Sequence, residues 1–312
     1  MEGIGAAVLA ERARAGGRAD DDGRWHCVSL NYPSTREGLA SLAARVAADV
    51  DASVALLAGV DATDGSWLDG DAAGVDVTLH AVTHSLGGVV VRAVAARHLP
   101  GARWGRLCLL APPSRGSRAA RWLVRGPLGI LTRAPSLAIF GPVLADLAAG
   151  DGGDRGNDDD DDDDGGDGDG DDDDGDRGGS PSPTWPAATD LPPGCRVGIV
   201  AGSRAVGLWP PHPPSWLATL AGVLGASGSD GTVARDETPL VAPSDDASSV
   251  ARAPLPLPAR DDAATNYQRP CAACRGDDWT QLDASHSFLP GHPGAAALAS
   301  RWIVRGTFAG GG

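Results

Sequence analysis

Apolar residues occur along this chain in two recurring patterns, short continuous runs and longer stretches with a helical period. The continuous runs, which are typical of buried strands, cover residues 25–32, 75–82, 106–111, 195–201 and, more weakly, 282–285. Helical spacing covers residues 3–15, 37–50, 89–99 and 295–304. Strands that are apolar throughout and alternate with helices predict an α/β fold, with a mostly parallel sheet and helices on both of its faces.

Two polar stretches interrupt this alternation. Residues 151–179 contain 16 aspartates and 10 glycines, and they carry 14 of the 15 net negative charges of the chain. Because such a segment has no apolar side chain to bury and repels itself, we expect a disordered acidic insertion over residues 151–183. Its irregular spacing does not match an ordered calcium loop. Residues 243–279, rich in proline, alanine and arginine, predict a second loop insertion in a single domain that spans residues 1–312.

The basic residues, the cysteines and the lengths of the apolar stretches limit the classes of function that fit this chain. All 26 basic residues are arginines, and they are scattered rather than clustered, which argues against nucleic-acid binding. Cys271 and Cys274 form a lone C-x-x-C pair without two further ligands at suitable spacing, so we expect no metal site. No apolar stretch is long enough for a transmembrane helix, and the first residues lack the apolar core of a secretory signal. These features favour the cytoplasm or an organellar lumen.

The strongest chemical signal is a serine placed between a predicted strand and a predicted helix. Ser85 lies in the sequence THSLGG at residues 83–88. A serine on such a tight bend needs small residues two positions away on either side; Gly87 meets this need, and Thr83 is a larger but tolerable choice. The bend exposes the hydroxyl at the carboxyl edge of the sheet and directs the backbone N–H of Leu86 inward as an oxyanion donor. The alternative is an ordinary serine in a strand–helix turn.

A serine hydroxyl is a weak nucleophile unless a histidine removes its proton and a carboxylate orients that histidine. Among the downstream histidines, His286 lies between the last predicted strand and the last helix, where the base is expected. His98 ends the helix that starts at the serine and is therefore about 15 Å away, and His212 lies in a proline-rich loop. His292, at the start of the last helix, remains the alternative base.

The candidate orienting carboxylate is Asp230. It stands in the sequence SDGTV at residues 229–233, after the fourth predicted strand, and the glycine turn leaves its side chain free to reach across to the histidine. Asp236 remains the alternative acid. The aspartates within the second insertion are typical of a solvated loop and are not candidates.

Five motifs, in order along the chain, resemble those of lipase-like α/β hydrolases. They are THSLGG at 83–88, LAPPSRGS at 110–117, AGS at 201–203, SDGTV at 229–233 and SHSF at 285–288; NYPS at 31–34 and RWIVRGTF at 301–308 fit the same group. The resemblance covers residues 1–145, 195–242 and 280–308. It implies the α/β-hydrolase fold and hydrolysis of a small-molecule carboxylic ester or lipid through an acyl-enzyme, with Ser85, Asp230 and His286 as the triad. It implies no metal or organic cofactor.

The beginning of the chain departs from this family. Members of the fold begin with a strand that ends in His-Gly or a similar turn and supplies the second oxyanion N–H. Here the helix over residues 3–15 comes first, so we expect a fold whose first strand is missing and whose neighbouring strand is left unpaired. A truncated sequence accounts for this better than a chain that has lost an oxyanion donor, because such a loss typically lowers the rate on the order of 10²–10³-fold.

The apolar stretch over residues 123–147 has two interpretations with equal support, a lid that contacts an acyl chain and a helix packed on the sheet. Three functions fit the whole pattern. The first is an esterase or lipase-like enzyme. The others are a catalytically impaired relative that acts as a binding protein, and an acyltransferase that uses the same triad.

Overall fold

The computed structural model describes residues 2–15, 23–59, 67, 76–125, 141–149, 191–202, 233 and 278–309. The predicted acidic insertion lies outside the described residues. So does the second predicted insertion, except that its last two residues, Asp278 and Trp279, belong to the final strand.

Ten main elements follow one another within the described residues. They are α1 (Glu2–Arg14), α2 (Leu39–Ala58), β1 (Thr78–His84), α3 (Leu86–Ala93), β2 (Arg103–Leu110), α4 (Arg118–Arg125), α5 (Val143–Ala149), β3 (Arg196–Gly202), β4 (Asp278–Leu282) and α6 (Pro293–Arg305). A π-helical turn, Val94–His98, extends α3, and a 3₁₀ helix, His286–Gly291, precedes α6. None of the described helices is long and apolar enough to cross a membrane.

The four strands form a parallel sheet in the order β1-β2-β3-β4. Successive side chains of a strand point to opposite faces, and the core divides accordingly. Leu107 and Leu109 of β2 pack in a cluster with α2 and α3, whereas Cys108 and Leu110 pack in a second cluster with α1 and α6. Helices therefore cover both faces of a parallel sheet, and the predicted α/β class is confirmed. Within the described sheet, β1 is an edge strand.

Two of the predicted strands are wrong: one is not formed, and the other lies at different residues. Residues 25–32 form no ladder, and the backbone there is irregular. The Trp25 ring stacks on His80 of β1, with the ring centroids 5.2 Å apart. The last strand lies at Asp278–Leu282 rather than at 282–285, because its ladder with β3 runs from Gly198 paired with Asp278 to Gly202 paired with Leu282.

The last helix is held against the sheet and against the first helix. The indole N–H of the fully buried Trp302 donates to the carbonyl of Leu107 at 2.8 Å. The carboxylate of Glu11, also buried, is 2.7 Å from both Arg14 and Arg305, which joins α1 to α6. A buried carboxylate needs such partners, since removing them leaves an uncompensated charge.

His80 is a half-buried titratable side chain in β1. Its Nδ1 accepts a hydrogen bond from the backbone N–H of Arg106 at 3.1 Å, next to the point where the β1–β2 ladder shifts register. Burial, and to a smaller extent the charge of Arg106, lower the pKa of His80 from its ordinary 6.5 to about 4. The folded chain therefore contains a neutral His80 at neutral pH.

We predict that His80→Asn makes the folded chain less sensitive to acid. Unfolded His80 binds a proton below about pH 6.5 but folded His80 only near pH 4, so the wild type loses free energy of unfolding as the pH falls between these values. Asparagine offers an oxygen to the same N–H and does not titrate. Urea denaturation at about pH 7 and about pH 4.5 should give a smaller loss for the variant, and an equal loss in both proteins would contradict this assignment.

Candidate active site

The backbone of Ser85 adopts a conformation that residues other than glycine rarely take, with φ 54° and ψ −128°. Such a conformation costs on the order of 1–3 kcal/mol and persists only where the surroundings determine it. Here the Ser85 N–H donates to the carbonyl of Leu110 on β2, and the Ser85 carbonyl accepts from the N–H of Gly88, each at 2.9 Å. Both backbone hydrogen bonds of the residue are thus made, and they hold the turn between β1 and α3.

The two glycines after the serine allow α3 to begin close to the sheet. A Cβ atom on Gly87 would lie 3.1 Å from the Tyr32 hydroxyl and 3.3 Å from the Thr83 Cβ, and one on Gly88 would lie 2.8 Å from the Cβ of Pro112. Thr83 fits at the position where a second small residue was expected. Its buried hydroxyl has no hydrogen-bond partner among the described residues.

His286 comes from the segment after β4, the strand at the opposite edge of the described sheet from β1. Strands β1 and β4 are three positions apart, which is about 14 Å at the usual strand spacing. The 3₁₀ helix after β4 is anchored by Leu289, which is fully buried, and its first residue is His286. The Nε2 atom of His286 lies 2.8 Å from the Oγ of Ser85, and the histidine is only 7% exposed. The structure therefore brings together two predicted residues that are 201 positions apart in the chain.

A second imidazole, not anticipated from the sequence, adjoins this pair. His84, the residue before the serine, places its Nε2 atom 3.0 Å from the backbone carbonyl oxygen of His286. The two histidine rings lie 4.6 Å apart with a 46° angle between their planes. Its position next to Ser85 was visible in the sequence, but the contact with His286 depends on how the last segment folds back over the sheet.

The structure describes two of the remaining predicted site residues, Leu86 and His292. Leu86 is the first residue of α3, where backbone N–H groups have no acceptor within the helix, so its N–H suits the predicted oxyanion role. The ring of His292 caps α6 instead, since its Nδ1 accepts from the N–H of Gly294 at 3.0 Å. Asp230 and Asp236 both lie outside the described residues.

The predicted lid segment is described only at its ends. Helix α4 and helix α5 pack against each other through Ala120, Leu144 and Ala148. The carboxylate of Asp146 on α5 also accepts the backbone N–H of Leu39 at 2.6 Å, at the start of α2. These ends are thus packed helices, while residues 126–140, which decide between a lid and a packed helix, lie outside the described part of the chain.

The described ranges contain no group of three or more histidine, cysteine, aspartate or glutamate side chains that could hold a metal ion. The two residues of the predicted C-x-x-C pair lie outside those ranges.

Comparisons with known proteins give a limited result. No protein-family model matches the chain, and no curated protein matches it. Among solved structures, the chain is similar to phospholipase PlaB from Legionella pneumophila, with a TM-score of 0.39 and 15% sequence identity. The similarity covers 77% of this chain and 43% of that one, so the chain spans less than half the length of that protein.

We predict that Gly88→Ala destabilises the fold by about 1–3 kcal/mol, because the new methyl group would overlap the buried Pro112 where α3 starts. Gly101→Ala is the matched control, since a Cβ at that exposed position meets nothing within 4 Å. Urea denaturation of both variants measures the difference in the free energy of unfolding. Equal stability of the two variants would show that the start of α3 is not tightly packed.

Proposed function

We propose that this chain is a carboxylic ester hydrolase of the α/β-hydrolase fold, with Ser85 as the nucleophile and His286 as the general base. The observation that carries the proposal is the 2.8 Å contact between Ser85 Oγ and His286 Nε2. This distance lies within the range for proton transfer from a nucleophile to its base. A serine that only served a strand–helix turn would need neither a positive φ nor a buried histidine beside its hydroxyl.

The position of the pair in the fold supports the same proposal. Ser85 follows the last residue of β1, at the carboxyl edge of a parallel sheet, where open α/β folds place their ligand sites. A strand–turn–helix serine with a strained backbone is the geometry by which α/β hydrolases expose their nucleophile. Ser85 has that strained backbone, with φ 54°.

Asp230 is the proposed acid of the triad. Because Nε2 of His286 faces the serine, Nδ1 is the nitrogen that a carboxylate would orient. A carboxylate there holds the proton on Nδ1, keeps Nε2 free to accept the serine proton, and stabilises the imidazolium that then forms.

Acylation follows from these placements. Ser85 Oγ attacks the ester carbonyl carbon while His286 Nε2 takes the hydroxyl proton, and the carbonyl oxygen becomes an oxyanion that the N–H of Leu86 stabilises. The tetrahedral intermediate collapses, the bond to the alcohol oxygen breaks, and His286 returns its proton to the leaving alcohol. The acyl group is then an ester of Ser85.

Deacylation repeats the sequence with water. His286 removes a proton from a water molecule, which attacks the acyl carbon; the carboxylic acid leaves and Ser85 regains its proton. We propose a lipid-like acyl group as substrate. The residues that follow His286 in the chain line an open surface depression of about 280 Å³. Ser287, Phe288, Gly291, His292 and Pro293 line it, and Phe288 is 55% exposed.

We predict that a fluorophosphonate probe labels the wild-type chain and Ser29→Ala, but not Ser85→Ala. Ser29 is an exposed serine outside the site, so it controls for nonspecific modification. Hydrolysis of p-nitrophenyl esters with short and long acyl chains should be lost in the same variant, and His286→Ala should slow labelling on the order of 10³-fold or more. Equal labelling of Ser85→Ala and wild type would rule out Ser85 as the nucleophile.

We predict that Asp230→Asn lowers the ester-hydrolysis rate on the order of 10³–10⁴-fold, since the amide would stabilise the wrong histidine tautomer. Asp236→Asn is the matched control, six positions along the chain, and should stay near the wild-type rate. The measurement is kcat on a soluble ester. If kcat falls only in Asp236→Asn, Asp236 is the acid of the triad. If both variants keep the wild-type kcat, neither aspartate is the acid.

A further inference from the structure

We propose that His84 is a positioning residue for His286, an inference that rests on the proposed function of Ser85 and His286. The general base comes from a segment that starts three strands away from the nucleophile. Its ring must nevertheless be held within hydrogen-bond distance of Ser85 Oγ. His84 is the side chain on the nucleophile's own strand that contacts both the backbone and the ring of the base.

The first contact holds the backbone of the base. The Nε2 atom of His84 is 3.0 Å from the carbonyl oxygen of His286. A carbonyl oxygen only accepts hydrogen bonds, so His84 Nε2 must carry a proton and donate it. His84 is itself placed by the sheet, because it is paired with Leu110 in the β1–β2 ladder. The hydrogen bond therefore ties the start of the 3₁₀ helix to the strand that carries the nucleophile.

The second contact limits the ring. The imidazoles of His84 and His286 lie 4.6 Å apart and are tilted by 46°, so His84 occupies one side of the volume through which the His286 ring could turn. The Ser85 hydroxyl meets the His286 ring at Nε2, at 2.8 Å. The base is thus fixed at its backbone and on one side of its ring by the residue that precedes the nucleophile.

The local structure around His286 explains why such support matters. His286 is the first residue of a short 3₁₀ helix that contains Pro290, and hydrogen-bond geometry in 3₁₀ helices is poorer than in α-helices. The buried anchor of this helix, Leu289, is three residues further along. A displacement of about 1 Å in a catalytic group can lower a rate on the order of 10²-fold.

Three substitutions separate the two contacts. His84→Gln keeps an N–H donor at the distance of Nε2, His84→Phe keeps a ring without a donor, and His84→Ala keeps neither. The readout is the second-order rate constant for fluorophosphonate labelling of Ser85, with kcat and KM on a soluble ester and the melting temperature of each variant. His98→Phe, at an exposed position on the π-helical turn, is the matched control.

We expect His84→Gln to label within about threefold of wild type, and His84→Phe and His84→Ala to label roughly 10–100-fold more slowly. The loss should appear in kcat with KM little changed, and the Gln and Phe variants should melt at the same temperature. Wild-type labelling of His84→Phe, or no advantage of His84→Gln over it, would overturn the positioning role while leaving the proposed function intact. Absence of labelling in the wild type itself would instead contradict the proposed function.

Discussion

The parallel pairing of β1 with β2 is the constraint on which the candidate site depends. The ladder ends at His84 and Leu110, and the next hydrogen bond, from the N–H of Ser85 to the carbonyl of Leu110, holds the serine where its backbone is strained. A register shift between β1 and β2 would break that hydrogen bond, and Ser85 would then no longer be held at a positive φ. Contacts distant from the serine, such as that of Trp302 with Leu107, therefore contribute to the site by holding β2 in place.

The second residue of the candidate site, His286, lies in the segment that follows β4. The segment after β4 turns back across the carboxyl edge of the sheet, places His286 against Ser85 and continues into α6. Helix α6 is in turn fixed by the buried indole of Trp302 and by Glu11 on α1. His286, the proposed base, is thus supported by the packing of α6 and by its contact with His84.

Much of the architecture was predictable because it depends on local pattern. The strands predicted at 106–111 and 195–201 lie within three residues of the observed β2 and β3 at each end, since short, mostly apolar runs bounded by turns are typical of buried strands. The run at 25–32 was also predicted as a strand, yet it forms none. A strand exists only where a neighbour accepts its backbone hydrogen bonds, and composition cannot supply that neighbour.

The sequence by itself determined the bend at Ser85. An apolar strand, a serine and an apolar helix with two glycines in its first turn leave few backbone paths, and all of these residues are adjacent in the chain. It also predicted His286 as the candidate base, from its place after the last strand. Only the tertiary structure decided that the two side chains meet at 2.8 Å, that His292 caps a helix instead, and that His84 contacts His286. The contacts of Ser85 and His84 with His286 join segments about 200 residues apart, so they depend on the packing of β4 and α6 against the sheet rather than on local spacing.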